Sequence, residues 1–230
     1  MKTLVSFETL APALIAIALL AGPANAAVIL DNTIDATNPL TTSLGSITVT
    51  NYQAKIFTTP STGSLALDGM KMALYSQTGN VARTVSVDLK AVDGSNNPTG
   101  SVLATESFVL NLTSTPTYYD IDLNAAIWGL SSAMTYALVF SSDASSSTTS
   151  WTQPPSNNSY SMSGGFTFVG TRRTTNSGST WSANTYNNGL QLSVAPVPEP
   201  SAAACVGGCS LLGFLVWRKR SSGKGVSSGR

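Results

Sequence analysis

The stretch Arg83–Val92 reads RTVSVDLKAV, and its alternation is strict. Val85, Val87, Leu89 and Ala91 fall on one side, and Thr84, Ser86, Asp88 and Lys90 on the other. Side chains of an extended chain point alternately to opposite faces, so this period of two predicts a half-buried strand. The pattern recurs on both sides. In ESFVLNL (106–112) Phe108, Leu110 and Leu112 share a face, and in TYYDIDL (117–123) Tyr119, Ile121 and Leu123 oppose Tyr118, Asp120 and Asp122. MTYALVF (134–140) sets Met134, Tyr136, Leu138 and Phe140 on one face and apolar Ala137 and Val139 on the other, which predicts a central strand. SLALDGMKMALY (64–75) changes phase: Leu65 and Leu67 are odd, Met70, Met72 and Leu74 even. The slip at Asp68-Gly69 predicts a β-bulge. SITVT (46–50) and LQLSV (190–194) supply shorter strands.

Turn chemistry separates these runs. DGSNNPTG (93–100) is the clearest, joining two strands. NAAIWGLSS (124–132) offers the one helical turn of the middle region. Between 141 and 188 the chain becomes polar and punctuated by glycine, and reads as long loops around one short strand, FTFVG (166–170). Strands at this spacing, with no long helical pattern between them, predict an all-β, antiparallel, jelly-roll-like β-sandwich over 27–196.

The ends read differently. MKTLVSFETLAPALIAIALLAGPANAAVIL (1–30) has a basic residue, Lys2, an apolar run from Leu10 to Ala21, and the small-residue pattern Ala24-Asn25-Ala26. That is the layout of a secretory signal peptide over 1–26, cut between Ala26 and Ala27 by a signal peptidase after passage through the secretion translocon. At the other end, VPEPSAAACVGGCSLLGFLVWRKR (197–220) holds sixteen uncharged residues, Ala202 to Trp217. They would span about 24 Å as a helix, at the short limit of a membrane span of about 20 residues. Arg218, Lys219 and Arg220 mark its cytoplasmic side. The polar residues 221–230 follow as a cytoplasmic tail.

This C-terminal stretch resembles the PEP-CTERM sorting signal of bacteria: Pro198-Glu199-Pro200, a short apolar helix rich in small residues, then a basic cluster. The extension SSGKGVSSGR beyond the cluster departs from that pattern. The resemblance implies transient inner-membrane anchoring, processing by an exosortase-type enzyme, and a place among exopolysaccharide and biofilm material at the cell surface. The middle of the chain, through AKIFTT (54–59), LDGMKMALY (67–75), DGSNNPTGSVLAT (93–105), TYALVFSS (135–142), Trp151 and STWSA (179–183), resembles the choice-of-anchor R domain. That resemblance implies a surface location and brings no catalytic residues with it.

Charge and composition narrow the chemistry. Only 10% of residues are charged and the net charge is +1. The six basic residues between Val28 and Pro196 are outnumbered by nine acidic ones, which argues against a nucleic-acid partner. With no histidine, a Ser-His-Asp triad, a Cys-His pair and a His-bound metal are all excluded within the chain. Cys205 and Cys209 both lie in the C-terminal apolar run, so the domain has no disulfide and depends on its core. No cofactor is expected. Asp93, Ser95 and Asn97 are spaced like the start of a calcium loop but lack the remaining ligands, so a hairpin turn is the simpler reading and no metal is expected.

Two sets of residues remain. Asp120 and Asp122, roughly 7 Å apart along one strand face, have the makings of a polysaccharide-active hydrolase, or are a solvated strand face. Trp151, Tyr160, Trp181 and Tyr186 sit among Asn and Ser, a composition suited to stacking on sugars and bonding their hydroxyls. Equally, Trp151 and Trp181 can plug the ends of the fold. Lys55, Lys71 and Lys90 are read as pointing outward from their strands. The leading expectation is a structural or adhesive surface protein with weak glycan affinity and no enzymatic activity; the alternative is the hydrolase.

Overall fold

The computed structural model describes residues 26–33, 45–146, 148–152 and 160–196. The expected signal segment up to Asn25, the Pro198-Glu199-Pro200 motif, the Ala202–Trp217 helix and the Arg218-Lys219-Arg220 cluster lie outside these residues. Among the described residues no helix is long and apolar enough to cross a membrane. Asn25–Val197 forms one compact unit.

That unit is all-β, built from two antiparallel sheets. Its strands are β1 (Ala27–Asp31), β2 (Gly45–Ser46), β3 (Tyr52–Thr58), β4 (Leu65–Ser76), β5 (Val81–Val92), β6 (Pro98–Leu112) and β7 (Thr117–Asp122). They continue as β8 (Gly129–Leu130), β9 (Thr135–Ser142), β10 (Thr149–Trp151), β11 (Ser161–Met162), β12 (Thr167–Thr174), β13 (Ser182–Asn184) and β14 (Leu190–Pro196). The first sheet runs β11-β1-β14-β4-β10-β2, with β7 and β8 also on β4; the second runs β13-β12-β3-β9-β5-β6.

The strand β4 organises the first sheet. Met72 pairs with both Leu190 and Tyr119, and Leu74 with both Trp151 and Thr117. One edge of β4 therefore holds β14 and then β10 end to end, while β7 lies along the other. The junction between β14 and β10 falls at Gly189, whose N–H donates to Thr152 O at 2.7 Å and whose carbonyl accepts from Ala73 N at 3.0 Å. A Cβ at Gly189 would come within 2.7 Å of the Ala73 Cβ, so only glycine fits there. The expected bulge is present. Gly69 faces Ser193 and Leu67 faces Val194, leaving Asp68 as the extra residue. Its carboxylate accepts from Ser193 Oγ at 2.7 Å.

The alternating faces close one core. Val85, Val87 and Leu89 of β5, Leu138 and Phe140 of β9 and Phe57 of β3 join Leu67, Met70, Met72 and Leu74 of β4 and Leu190, Leu192 and Val194 of β14. All of these residues, and every strand pairing above, lie within 27–196, so these strands assemble a core of their own. The opposite face of β3 and β9 buries Ala54, Ile56, Ala137 and Val139 under Tyr52, Val92 and Trp181. Burial on both faces is what the apolar run of β9 foretold, and β9 is central in its sheet.

Several expectations fail. Of the expected strand 46–50 only Ser46 is extended, as the second residue of β2. Thr48 Oγ1 accepts from Thr50 N at 3.2 Å and Asn51 N at 2.9 Å, turning the chain instead. NAAIWGLSS does make a single turn, Ile127 N donating to Asn124 O, before β8 begins at Gly129, and buried Trp128 anchors the chain by donating to Glu106 Oε2 at 3.0 Å. Met134 precedes β9 and is exposed. The supposed loop region after Ser141 contributes β10, β11, β13 and a β12 that continues through Arg172 and Arg173 to Thr174.

Candidate functional site

Lys55 points inward, against expectation. It shares a face of β3 with Gln53 and Phe57, and its side chain is fully buried. The amine donates to Tyr186 O and Asn188 Oδ1, both at 2.9 Å, and to Thr171 Oγ1 at 3.4 Å. Its Nζ lies 5.0 Å from the centroid of the Trp151 ring and 5.1 Å from that of Tyr160. Two ring faces favour a cation by about 2 kcal/mol each when desolvated. Removing an ammonium from water costs several kcal/mol, and no carboxylate pairs with it among the described residues. Burial pushes the Lys55 amine well below the usual lysine range.

The surroundings of that amine are fully bonded. Asn188 Nδ2 donates to Trp151 O at 3.1 Å, Tyr160 OH to Asn188 O at 2.9 Å, and Trp151 Nε1 to Gly189 O at 2.9 Å. The Trp151 ring packs at 4.6 Å on Phe140, and Tyr160 at 4.5 Å on Phe168. Burial also pushes the Tyr160 hydroxyl well above its ordinary range. Trp151 and Tyr160 are thus wall residues of a closed chamber, which removes them from the list of glycan contacts. Aromatic rings in a polar stretch turned inward because their hydroxyl and indole N–H found backbone carbonyls there.

One rung further along the sheet the chamber opens. Gln53 pairs with Arg173, and Arg173 with Ser182, at the end of β3, β12 and β13 that faces β2. Here a cleft of about 210 Å³ is lined by Gly45, Ser46, Asn51, Tyr52, Gln53, Arg173, Asn184 and Tyr186, with Thr174 and Thr175 at its rim. Gln53 is only 3% exposed, yet among the described residues its Oε1 has no hydrogen-bond partner, and neither has the buried Nδ2 of Asn184. Gly45 is the residue that admits the Gln53 amide, since a Cβ there would run into its nitrogen. Among the described residues the cleft lining includes no carboxylate. Arg173 is exposed, whereas its neighbour Arg172 turns to the other face, donating to Asn97 Oδ1 at 3.2 Å and Ser95 O at 3.0 Å.

Asp120 and Asp122 lie elsewhere, on the outer face of the first sheet. Lys71 Nζ is 3.1 Å from Asp120 Oδ1. Cross-strand pairing runs Asp120, Lys71, Gln191, Asp31 and Ser161 in a row over five strands. A shallow depression of about 130 Å³ beside Gly69 takes in both aspartates, Gln191 and Ser193. Both carboxylates are exposed.

No protein-family model matches the chain, and no curated protein matches it.

Of the four aromatics singled out in the sequence, then, Tyr186 alone lines the cleft; Trp181 packs half-buried over Ala54 and Ile56 on the outer face. Tyr52, Gln53, Arg173 and Asn184 belong to the cleft and were missed. Ala26 and Ala27, at the expected cleavage point, are exposed at the start of β1. Asp93 is a turn residue: its Oδ1 accepts from Ser95 N and Asn97 N, each at 2.8 Å, and the Asn97 bond foremost holds the carboxyl below the usual range. Among the described residues no group of three or more Asp, Glu, Cys or His could hold a metal ion.

Proposed function

We propose that this chain is an exported bacterial protein of the cell surface or extracellular matrix, structural or adhesive rather than enzymatic, whose β domain is a jelly-roll-like sandwich that holds glycan weakly in the cleft at Tyr52, Gln53, Arg173, Asn184 and Tyr186. The observation that carries the glycan reading is the pairing of a ring face with unpartnered amide groups. Tyr186 offers a surface for the C–H face of a sugar, while among the described residues Gln53 Oε1 lacks a donor and Asn184 Nδ2 lacks an acceptor. A sugar hydroxyl is both.

The route outward rests on the sequence of the two ends. The signal-like segment hands the chain to the translocon and signal peptidase, and the PEP-CTERM-like tail holds it in the inner membrane for an exosortase-type enzyme. The choice-of-anchor R likeness of the domain fits the same destination. A hydrolase based on Asp120 and Asp122 is the weaker reading. Glycoside cleavage wants one carboxyl kept protonated in a dry pocket, and here Lys71 and solvent surround the pair.

A glycan array probed with the 27–196 domain, run beside a polysaccharide-hydrolysis screen, tests the reading. Retention of glycans without turnover, lost in Tyr186→Ala, is the expected result. Turnover that disappears in Asp120→Asn would replace it with the hydrolase.

A further inference from the structure

We infer that the cleft is built for an acidic glycan, with the carboxylate of a uronic acid seated on Arg173. The inference rests on the glycan reading above and adds the ligand's charge. Between Val28 and Pro196 the acidic residues outnumber the basic ones by nine to six, so the domain is negative. Among the described residues the cleft is a local exception: Arg173 is the charged one of the lining, and no Asp or Glu lines it to neutralise that charge. No carboxylate pairs with Arg173 among the described residues.

The strand pairing places this guanidinium beside the unpartnered amide. Arg173 and Gln53 are direct cross-strand neighbours on β12 and β3, where opposed side chains stand about 5 Å apart at Cβ. Asn184 lies on β13, the strand paired to the other edge of β12. The three groups make a set with defined polarity. Gln53 Oε1 accepts, Asn184 Nδ2 donates, and Arg173 offers a planar fork that matches a carboxylate. A uronate supplies the counterpart of each: a hydroxyl hydrogen, a hydroxyl or ring oxygen, and a carboxylate, around an apolar face for Tyr186. A neutral hexose leaves Arg173 unanswered. The buried, unpartnered Gln53 is the observation that separates this cleft from an ordinary surface arginine, because an acceptor left without a donor is costly unless something fills the site.

The test is calorimetric titration of the 27–196 domain with trigalacturonate and with the same trimer after carboxyl reduction, at fixed ionic strength. The acidic trimer should bind about tenfold or more tightly than the reduced one, the scale of one charge-assisted bond. Arg173→Gln should abolish that preference while leaving the melting temperature in place, and Gln53→Met should weaken both ligands alike. Equal affinity of the two trimers, or a preference that survives in Arg173→Gln, overturns the uronate assignment and leaves the glycan reading standing. Failure of both trimers and of every glycan on the array overturns the two together.

Discussion

Gln53 and Lys55 stand two residues apart on one face of β3, and both are buried. Their polar atoms are treated in opposite ways. The Lys55 amine has three acceptors and two ring faces around it, and its neighbours Asn188, Tyr160 and Trp151 bond one another and the backbone. The Gln53 carbonyl has no partner. The lesson is that a buried polar residue is a functional pointer only when its own bonds are incomplete. The closed chamber, although it holds a lysine and two of the aromatics that looked like sugar contacts, is structure. The open cleft beside it, built largely from unremarkable residues, is the site proposed for glycan.

The largest expected effect comes from breaking the chamber. Trp151→Ala would remove a ring that is wholly buried against Phe140 and one of the two hydrogen bonds that the Gly189 carbonyl accepts. Truncations of this kind cost about 3–5 kcal/mol. Urea unfolding of the 27–196 domain should report a loss in that range, whereas Trp151→Phe should lose much less. A variant that kept its stability and lost glycan binding would return Trp151 to the ligand side and undo the comparison.

How far these two regions could be read from sequence follows from their physics. The strands that hold the core alternate cleanly over six or more residues, so Val85 to Leu89, Tyr136 to Phe140 and the slip at Asp68 announced themselves. The strands β1, β2, β10, β11 and β13 are two to five residues long, too short to show a period, and most of them are polar. Their extended shape comes from pairing with β4, β12 or β14, or with one another, which is tertiary information. Lys55 was assigned to solvent because an ammonium in a core is expensive. Its acceptors arrive from residues 171, 186 and 188, more than a hundred positions away. The cleft is likewise drawn from two distant stretches, 45–53 and 173–186, and no local motif joins them.

A middle-sized effect sharpens the chamber half of the comparison. The folded Lys55 amine holds fewer protons than the unfolded one at every pH between its lowered pKa and the ordinary lysine value of about 10.4. Stability must therefore rise with pH across that window, by about 1.4 kcal/mol per pH unit at most, and be lowest on the acid side of it. Above the ordinary tyrosine value of about 10 the buried Tyr160, whose hydroxyl stays protonated in the fold, works the other way. Melting of the domain across the alkaline range below the tyrosine value should therefore show a rising midpoint, and Lys55→Met should flatten it. Parallel slopes in the two proteins would mean that the amine keeps its proton inside the fold.

The smallest effect concerns the outer face, and it asks whether partnered polar groups matter when water is present. Lys71 and Asp120 form a close ion pair at 3.1 Å, but their side chains are 34% and 77% exposed. Solvent screens such a pair, and fixing two mobile side chains costs entropy, so exposed pairs are worth about 0.2–1 kcal/mol. Asp120→Asn should lower stability by no more than that, and a cycle combining it with Lys71→Met should return a coupling at the low end, fading further as salt is added. The Lys55 network contains no opposite charge, yet there a single truncation is expected to cost several times more. Burial supplies that difference. An exposed group that loses its partner is taken over by water, while an enclosed one is left with nothing. If the Lys71–Asp120 coupling instead approached the cost of Trp151→Ala, the outer row would be a rigid, dry assembly, and Asp120 would regain its claim as the residue to test for hydrolysis.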